Sequence, residues 1–426
     1  MEIKKLKDLC IGKGEYGIAA SAEKYSPQKY RYLRITDISD FGELLDGEKK
    51  SISCTGCDQY ILSEDEIVFA RTGNSTGRAF FYETKYGPLV YAGFLIKFHL
   101  DKTKVNPKYL KYYTISKTYK QWVANGPTGS TRGNMSEGDF ANMPVFLPNR
   151  GTQDKIVSIM EPLDEQERLN NSICSDLESM AKLLYDYWFV QFDFPDENGK
   201  PYKSSGGKMV WNEELKREIP EGWEAGTFGD CIASINTGLN PRDNFKLNTG
   251  GTIRYLTVKN LTKEGTVDFS SCDCIDEEAR AIVHRRSDIR IGDILFASIA
   301  PLGRCYVIKE DPKTWDINES VFSIRPNYKI ATSNFLYMTF MSDSFVKKAE
   351  GSSTGSVFKG IRISELQDLK TIIPKKAVLD RFDDAVEKLF AAKSNAFNES
   401  MDLTSLRDFL LPMLMNGQVK VGEASV

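Results

Sequence analysis

The sequence is poor in the residues on which most enzyme active sites depend. Its 426 residues include two histidines, His99 and His284. A Ser-His-Asp arrangement does not stand out, and the sequence lacks a glycine-rich phosphate-binding loop of the Walker type. The segment Asp46-Gly47-Glu48 is too generic for a nuclease centre. This scarcity favours a binding protein over an enzyme.

Long hydrophobic runs are also missing. The sequence has no apolar stretch near the ~18 residues that a membrane-spanning helix needs, and residues 1–5 lack the apolar core of a signal peptide. Eight cysteines are scattered along the chain without the dense spacing of a disulfide framework. We therefore expect a soluble cytoplasmic protein whose cysteines are mostly free thiols and which needs no disulfides.

Metal-binding spacing is incomplete in both halves of the chain. The first half offers Cys54, Cys57 and His99, and the second offers Cys272, Cys274 and His284. A structural zinc site needs four ligands at paired spacing. We predict no metal site.

A strong net charge is absent as well, since 56 Lys and Arg oppose 59 Asp and Glu, for a net charge of −3. The distribution is uneven: residues 1–150 carry +5, residues 151–222 carry −7, residues 223–374 carry 0 and residues 375–426 carry −1. Positive charge in the globular parts and negative charge in the connector are expected if the globular parts contact phosphate. Random scatter of surface charge remains the alternative.

What the sequence has is an internal repeat with an offset of 226 residues. Thr128-Gly129-Ser130 recurs as Thr354-Gly355-Ser356, and Leu184 recurs as Leu410. Further matches are Glu66–Ala70 with residues 293–297, and Gly77-Arg78 with Gly303-Arg304. The period is too long for a solenoid, whose repeats span ~20–50 residues. The chain therefore contains two copies of a domain-sized unit.

Each copy combines a body of about 150 residues with a long helix. Runs of β-branched and aromatic residues separated by glycine and asparagine predict strands, among them Glu66–Ala70, residues 79–82, 89–100, 294–297 and 321–324. Asn106-Pro107 predicts the start of a helix, with an N-cap residue followed by proline in the first turn, and residues 332–334 predict its counterpart. The similarity of residues 106–109 to the Asn-Pro-Pro-Tyr motif of adenine methyltransferases is superficial.

The stretches after Pro148 and Pro374 have a heptad pattern that predicts two long helices pairing antiparallel about a pseudo-two-fold axis. Pro162 should kink the first helix, and Asn416-Gly417 should end the second. The alternative is that each helix packs only on its own body. The predicted seam consists of Ile156, Leu163, Ile173, Leu177, Leu184, Phe382, Leu389, Leu403 and Leu410.

Several motifs resemble the specificity subunit of Type I restriction-modification systems. They are residues 185–189 (Tyr-Asp-Tyr-Trp-Phe), 192–195 (Phe-Asp-Phe-Pro), 198–202 (Asn-Gly-Lys-Pro-Tyr), 219–223 (Ile-Pro-Glu-Gly-Trp) and 409–417 (Phe-Leu-Leu-Pro-Met-Leu-Met-Asn-Gly). The first body departs from the family pattern because it lacks the Ile-Pro-x-Gly-Trp opening. The resemblance covers essentially the whole chain.

The resemblance implies an α+β protein: two globular α/β target recognition domains separated by two long antiparallel coiled-coil helices, with an internal pseudo-two-fold repeat. The expected domains are residues 1–150 (first target recognition domain), 151–190 (central spacer helix), 191–222 (connector), 223–374 (second target recognition domain), 375–418 (C-terminal spacer helix) and 419–426 (tail). Each body would recognise one half of a split, asymmetric DNA site.

The resemblance also implies partners. The helices would set the gap between half-sites and dock two methyltransferase subunits, and a motor-nuclease restriction subunit would join the complex. The chain itself would be non-catalytic and hold no cofactor, whereas the methyltransferase partner would bind S-adenosylmethionine and methylate adenine in double-stranded DNA. No membrane partner is expected.

Loops that recur in both bodies are the candidates for DNA contact, because glycines allow close approach to phosphate and polar side chains donate to phosphates and base edges. Arg78 and Arg304 recur in both copies and could instead be structural. The predicted DNA-binding residues are Arg71, Thr72, Asn74, Ser75, Thr76, Arg78, Ser130, Arg132, Asn134, Ser298, Arg304, Ser356, Lys359 and Arg362.

Two other classes of function stay open from the sequence. One is a two-headed scaffold that binds only protein. The other is a methyltransferase or nuclease that acts alone. The first predicts no DNA sequence preference, and the second predicts binding of S-adenosylmethionine by this chain.

Overall fold

The structure is a computed structural model that describes residues 2–45, 47–53, 55–126, 134–242, 244–352 and 360–418. These residues divide into two compact units, one within Met1–Asn170 and Asn398–Val426 and the other within Asn171–Phe397. Each unit contains one body and parts of the two long helices. No described helix is both long and apolar enough to cross a bilayer.

The first body is built mainly of short strands. Its strands are β1 (Glu2–Lys5), β2 (Cys10–Tyr16), β3 (Glu23–Lys24), β4 (Tyr30–Leu33), β5 (Lys50–Ile52), β6 (Glu66–Ala70), β7 (Ala79–Phe81), β8 (Leu89–Tyr91), β9 (Leu95–Leu100) and β10 (Pro144–Leu147), and its helices are α1 (Pro107–Tyr113), α2 (Lys117–Asn125) and α3 (Glu137–Ala141). They form two four-stranded sheets, β2-β9-β6-β7 and β3-β5-β4-β8, and the pair β1-β10. The first long helix, α4 (Arg150–Tyr185), follows.

Among the residues described, the second body repeats this plan with two additional α-helices and with three strands in place of four in one sheet. After the connector hairpin β11 (Met209–Asn212) and β12 (Arg217–Pro220) come β13 (Glu224–Thr227), α5 (Phe228–Cys231), β14 (Ile232–Thr237), β15 (Ile253–Leu256), β16 (Asp273–Ile275), α6 (Glu277–Ser287), β17 (Ile294–Ala297), β18 (Cys305–Val307), β19 (Trp315–Ile317), β20 (Val321–Pro326), α7 (Ser333–Met341), α8 (Asp343–Ser352), α9 (Ile363–Asp368), β21 (Lys370–Ile373) and the second long helix, α10 (Lys376–Met415). Its sheets are β14-β20-β17-β18, β16-β15-β19 and β13-β21, and the additional helices are α5 and α6.

Local sequence signals placed most elements correctly. The predicted strands at 66–70 and 294–297 are β6 and β17. Asn106 caps α1 by accepting from the Lys108 N–H at 3.0 Å, and Thr332 caps α7. The run 89–100 is two strands and not one, because the chain turns around Gly93 and passes from one sheet to the other.

A buried carboxylate occupies the start of the central strand in both bodies. In the first body, Glu66 is 3% exposed and lies 2.9 Å from the Lys97 ammonium. In the second, Asp293 is 1% exposed and lies 2.8 Å from the Arg325 guanidinium. A buried carboxylate that lost its cation would cost several kcal/mol, roughly 3–5. The repeat therefore extends from the strands to their buried charges.

The family-like connector motif forms part of the core of the second unit. Phe194 stacks between Tyr202 and Trp223, with ring centroids 4.7 and 5.1 Å apart. Phe189 contacts Phe382 at 4.8 Å. These aromatic residues attach the end of α4 and the connector to the start of α10.

The long helices pair antiparallel within each unit, as predicted. In the first unit, Ile156 and Met160 of α4 share a core with Leu411 and Leu414 of α10. In the second, Tyr185 of α4 packs on the other end of α10. The helix α4 continues through Pro162, and Gly417 follows α10 with a φ of 67°.

Of the nine residues in the predicted seam, all but Ile173 are buried or half-buried. Ile156 and Phe382 are buried, and Leu163, Leu177, Leu184, Leu389, Leu403 and Leu410 are half-buried, but Ile173 is 44% exposed. The buried face continues instead through Glu167, Asn170, Cys174, Glu178 and Ala181. These residues are polar or small, and a search for apolar repeats therefore chose the neighbouring face.

Candidate nucleic-acid interface

The two loops predicted to contact DNA meet in the first body. The Met135 N–H donates to the Arg71 carbonyl at 2.8 Å, and the Arg71 Nε–H donates to the Met135 carbonyl at 3.4 Å. Thr72 Oγ1 donates to Asn134 Oδ1. The loop after β6 and the segment before α3 therefore form one surface.

The second body has the same junction at the equivalent place. The Ile361 N–H donates to the Ser298 carbonyl at 2.8 Å, and Ile299 pairs with Gly360. Ser298 follows β17 as Arg71 follows β6, and Ile361 precedes α9 as Met135 precedes α3. Each body thus has one candidate interface, built from the same two chain segments.

Aromatic side chains lie beside this junction in the first body. The Arg71 guanidinium lies over the Tyr16 ring, 5.2 Å from its centroid. Phe94 is 59% exposed, and its carbonyl accepts from the Arg71 N–H. Asn74 is also exposed. Cations, amides and exposed rings are the groups that contact phosphates and bases.

Tyr16 and Phe94 were missed by the sequence analysis. Aromatic residues in or beside strands are typical of cores, and the chain has 24 phenylalanines and 19 tyrosines. Only the exposed fractions of the Tyr16 and Phe94 side chains, 44% and 59%, distinguish them from the aromatic residues of the core. The sequence offered no signal of that exposure.

Arg78 and Arg304 bond to their own bodies. Arg78 Nη1 donates to the Ile38 carbonyl at 3.0 Å, and its Nε donates to Asp40 Oδ1 at 2.7 Å. Arg304 Nη1 donates to the Leu261 carbonyl at 3.0 Å. Ile38 and Leu261 are equivalent residues of the repeat. The structural role left open by the sequence is therefore the favoured one for both arginines.

Two predicted hydroxyl donors are buried, and a third, Thr76, bonds to the backbone of its own turn. Ser75 is 7% exposed and Ser298 is 6% exposed. Ser298 Oγ donates to the Ser320 carbonyl at 2.8 Å, and Thr76 Oγ1 donates to the Gly73 carbonyl at 2.8 Å. Ser75 and Ser298 are therefore corrected to structural residues, because their burial keeps both hydroxyls away from a phosphate or a base edge.

The remaining predicted contacts divide into one exposed residue and a group that the structure does not describe. Arg362 is exposed at the start of α9. Ser130, Arg132, Ser356 and Lys359 lie outside the described residues. All of these stay predictions.

The glycines before the two arginines are required by their surroundings. Gly77 has a φ of 85° and Gly303 a φ of 82°. A Cβ at Gly77 would lie 2.5 Å from Val123 of α2, and one at Gly303 would lie 2.6 Å from Val346 of α8. Close helix packing thus explains why glycine recurs here.

Ser287, His284 and Asp316 come together in the second body, but not as a catalytic triad. Asp316 accepts from Ser287 Oγ at 2.6 Å and lies 3.0 Å from His284 Nδ1. In a triad the serine bonds to the histidine, whereas here both residues bond to the carboxylate. Asp316 is fully buried, and burial raises the pKa of its carboxyl group. The cluster packs α6 on β19.

The described residues hold no group of three or more metal-ligating side chains. Six described cysteines are free, namely Cys10, Cys174, Cys231, Cys272, Cys274 and Cys305. Most described cysteines are thus free, as expected, whereas Cys57 is disulfide-bonded.

Exposed apolar pairs recur on the long helices. On α4, Met180 is 52% exposed and Leu183 is 68% exposed. At the equivalent positions of α10, Leu406 is 44% exposed and Phe409 is 64% exposed. Large apolar side chains that are exposed in pairs indicate contact with other molecules. The same apolar spacing therefore occurs on a long-helix segment of each unit.

Comparison with known proteins agrees with this architecture. The family model for the Type I restriction modification DNA specificity domain matches residues 1–179 and 220–389. The MjaIX specificity subunit of Methanocaldococcus jannaschii is 26% identical over 343 residues, which is 76% of this chain and 72% of that protein. The HindI specificity subunit of Haemophilus influenzae is 21% identical over 447 residues, with 92% of each chain covered.

A solved structure shows the same fold. The S subunit of a Type I restriction-modification system from M. genitalium superimposes with a TM-score of 0.58 at 15% identity, covering 97% of this chain and 95% of that one. The two family matches cover the two bodies, most of α4 and the first part of α10. The chain is thus a member of the Type I restriction-modification DNA specificity family.

Proposed function

We propose that this chain is the DNA specificity subunit of a Type I restriction-modification complex and that each body recognises one half of a split, asymmetric DNA site. The observation that carries the proposal is the double family match, once per body. The two bodies share a scaffold but differ in their loops. This is expected if each body recognises a different DNA half-site.

The candidate interfaces contain the chemical groups that would contact DNA. In the first body, Arg71, Tyr16 and Phe94 offer a cation and two exposed rings beside the junction of the two loops. In the second, Arg362 is exposed next to the same junction. Phosphate contacts set the register on DNA, and base contacts supply specificity.

The helices supply the docking sites for two methyltransferase subunits. Met180 with Leu183, and Leu406 with Phe409, offer the same apolar spacing on two helices. Two identical partners need two similar surfaces. A motor-nuclease restriction subunit joins this assembly, and S-adenosylmethionine binds to the methyltransferase partners and not to this chain.

A catalytic role for the chain alone is the rival proposal. His284 lies in a packing cluster rather than a triad, which supports a non-catalytic subunit. Isothermal titration of the purified chain with S-adenosylmethionine separates the two, because a stand-alone methyltransferase would bind it and the specificity subunit would not.

The decisive test is a methylation map. Adenine methylation is mapped genome-wide with the gene intact and with the gene deleted. We expect loss of methylation at one motif of two short half-sites separated by a fixed gap. An unchanged map, with the methyltransferase partner expressed, contradicts the proposal. No sequence preference on a random DNA library, for the chain with its partner, would also contradict it.

A further inference from the structure

A hydrophobic core attaches each body to the helices. In the first unit this core joins Tyr109 of the body with Ile156 of α4 and Leu411 of α10. In the second it joins Phe335 of the body with Phe382 of α10. Polar contacts add to this core, such as Lys111 with Asp164 of α4 at 2.5 Å and Thr332 with Asp383 of α10 at 2.9 Å.

A further contact between the body and the helices of the first unit centres on Arg407 of α10. The Arg407 side chain is 4% exposed, and its Nη1 donates to Glu167 Oε2 of α4 at 3.0 Å. The same Nη1 lies 3.7 Å from Glu43 Oε1 of the body. The guanidinium also lies 5.1 Å from the centroid of the Phe41 ring. One cation therefore joins both helices and the loop at residues 38–44.

The second unit has a corresponding contact at Lys393 of α10. Its side chain is 13% exposed, and Nζ donates to Glu178 Oε2 of α4 at 3.0 Å. Nζ also donates to the Glu264 carbonyl of the body at 2.6 Å. The loop at residues 261–267 is thus held like the loop at 38–44. We call these loops the clamp loops and each cation with its partners a clamp.

The repeated arginines hold the clamp loops from inside the bodies. Arg78 donates to the carbonyl of Ile38, which pairs with Leu44 across the first clamp loop. Arg304 donates to the carbonyl of Leu261, which pairs with Val267 across the second. Because each clamp loop is fixed at its base, its tip and the sheets of the body move together. The clamp therefore reaches from the helix pair to the body core.

The clamp cations favour one geometry. A cation that is largely removed from water is costly unless it keeps its carboxylate and hydrogen-bond partners. Arg407 and Lys393 both occur on α10, and their acidic partners Glu167 and Glu178 both occur on α4. In each unit the body, α4 and α10 meet at one charged group.

We propose that the two clamps fix the orientation of each body on its helix pair and so determine how strictly the complex selects the gap between half-sites. The inference rests on the proposed function. Arg407 and Lys393 are positioning residues, since neither belongs to the candidate DNA interface. They act on gap length and not on the bases recognised.

The first experiment measures orientation without DNA. Spin labels are introduced through unnatural amino acids at Gln59 and Ser158, two exposed residues of the first unit, in the full chain. We expect one narrow distance distribution, which broadens severalfold in the double variant Phe41→Ala/Glu43→Gln. This variant leaves the Arg407–Glu167 pair between the helices intact. An unchanged width in the variant overturns the clamp.

The second experiment measures gap selection with the full chain and its methyltransferase partner. Methylation is followed on DNA with the wild-type gap and with the gap changed by one base pair. In Phe41→Ala/Glu43→Gln and in Lys393→Met we expect about tenfold less discrimination between gaps, equivalent to 1.4 kcal/mol, with the same half-site bases. The exposed Lys388→Met on α10 is the matched control and should behave as wild type.

The results separate the two proposals. Unchanged gap selection in the clamp variants overturns the clamp, and so does a change in the half-site bases. If the wild-type complex methylates no split site, the proposed function fails, and the label distances still decide whether the clamp orients the body.

Discussion

At the residue scale, two arginines seven positions apart have different roles. Arg71 lies over Tyr16 beside the loop junction, whereas Arg78 bonds to the Ile38 carbonyl and Asp40. Both have the local sequence of a polar, glycine-rich loop. Their hydrogen-bond partners are far apart in sequence, and for that reason the sequence did not separate them.

Substitution should distinguish the two roles. We expect Arg71→Ala to weaken binding to the half-site of the first body by about 1–3 kcal/mol and to leave stability unchanged. Arg78→Ala should instead lower the free energy of unfolding by about 1–3 kcal/mol, because it leaves the Ile38 carbonyl without its donor. Urea unfolding and DNA binding by the complex measure the two effects. Equal loss of stability in both variants would contradict the assignment.

The recurring glycines allow a controlled test of close packing. Gly77 and Gly87 both have positive φ, at 85° and 69°, but a Cβ at Gly87 meets no atom within 4 Å. We expect Gly87→Ala to cost about 1–3 kcal/mol from backbone strain alone, because its ψ of −175° places it in a region that only glycine adopts readily. Gly77→Ala should cost about 1–3 kcal/mol more because its Cβ overlaps Val123. Equal costs in urea unfolding would show that α2 yields to the added methyl group.

At the element scale, the long helices show why an apolar repeat does not identify a contact face. The predicted apolar seam was extended through Ile173, which is 44% exposed. The true face passes through Glu167, Cys174 and Glu178, whose partners are provided by α10. Polar residues become suitable for a helix seam only when a particular partner faces them.

The exposed helix residues carry a prediction about assembly. Met180→Glu/Leu183→Glu should remove the docking of one methyltransferase subunit, and Leu406→Glu/Phe409→Glu should remove the other, because buried charges without partners oppose association. Native mass spectrometry should show one bound partner in place of two. Ser172→Glu/Ser175→Glu, at exposed polar positions of α4, is the matched control. Two bound partners in all three variants would rule out these surfaces as docking sites.

At the scale of the whole molecule, the repeat shows which features belong to the shared scaffold and which differ between the two bodies. The strand order β2-β9-β6-β7 recurs as β14-β20-β17-β18, and the junction of the two loops, the positive-φ glycines and the buried acids also recur in both bodies. The helix α6 has no counterpart among the described residues of the first body. Such differences are expected where each body must contact different bases.

Replacement of one body tests this separation. Residues 1–150 are exchanged for the corresponding body of another family member, and the methylated motif is determined. We expect one half of the motif to change while the other half and the gap remain, since the helices and the second body are unaltered. A new gap, or an unchanged motif, is the contrary result. A scaffold that binds only protein predicts no motif before or after the exchange.

The sequence by itself determined the features that depend on local or repeated signals. The repeat offset, strands β6 and β17, the Asn106 cap, the end of α10 near Gly417 and the family were all evident before any contact was known. Turn residues, caps and periodicity act over a few residues, and a repeat is a comparison of the chain with itself. Such properties need no knowledge of distant partners.

Only the tertiary structure decided which side chain faces which partner. In the structure Ser298 points inward, and Arg304 donates to the Leu261 carbonyl. Arg407 is buried between Glu167 and the first body. Each of these contacts joins residues far apart in the chain, and their geometry depends on how sheets and helices pack. An arginine looks the same in the sequence whether its guanidinium binds a DNA phosphate or donates to a carbonyl of its own chain.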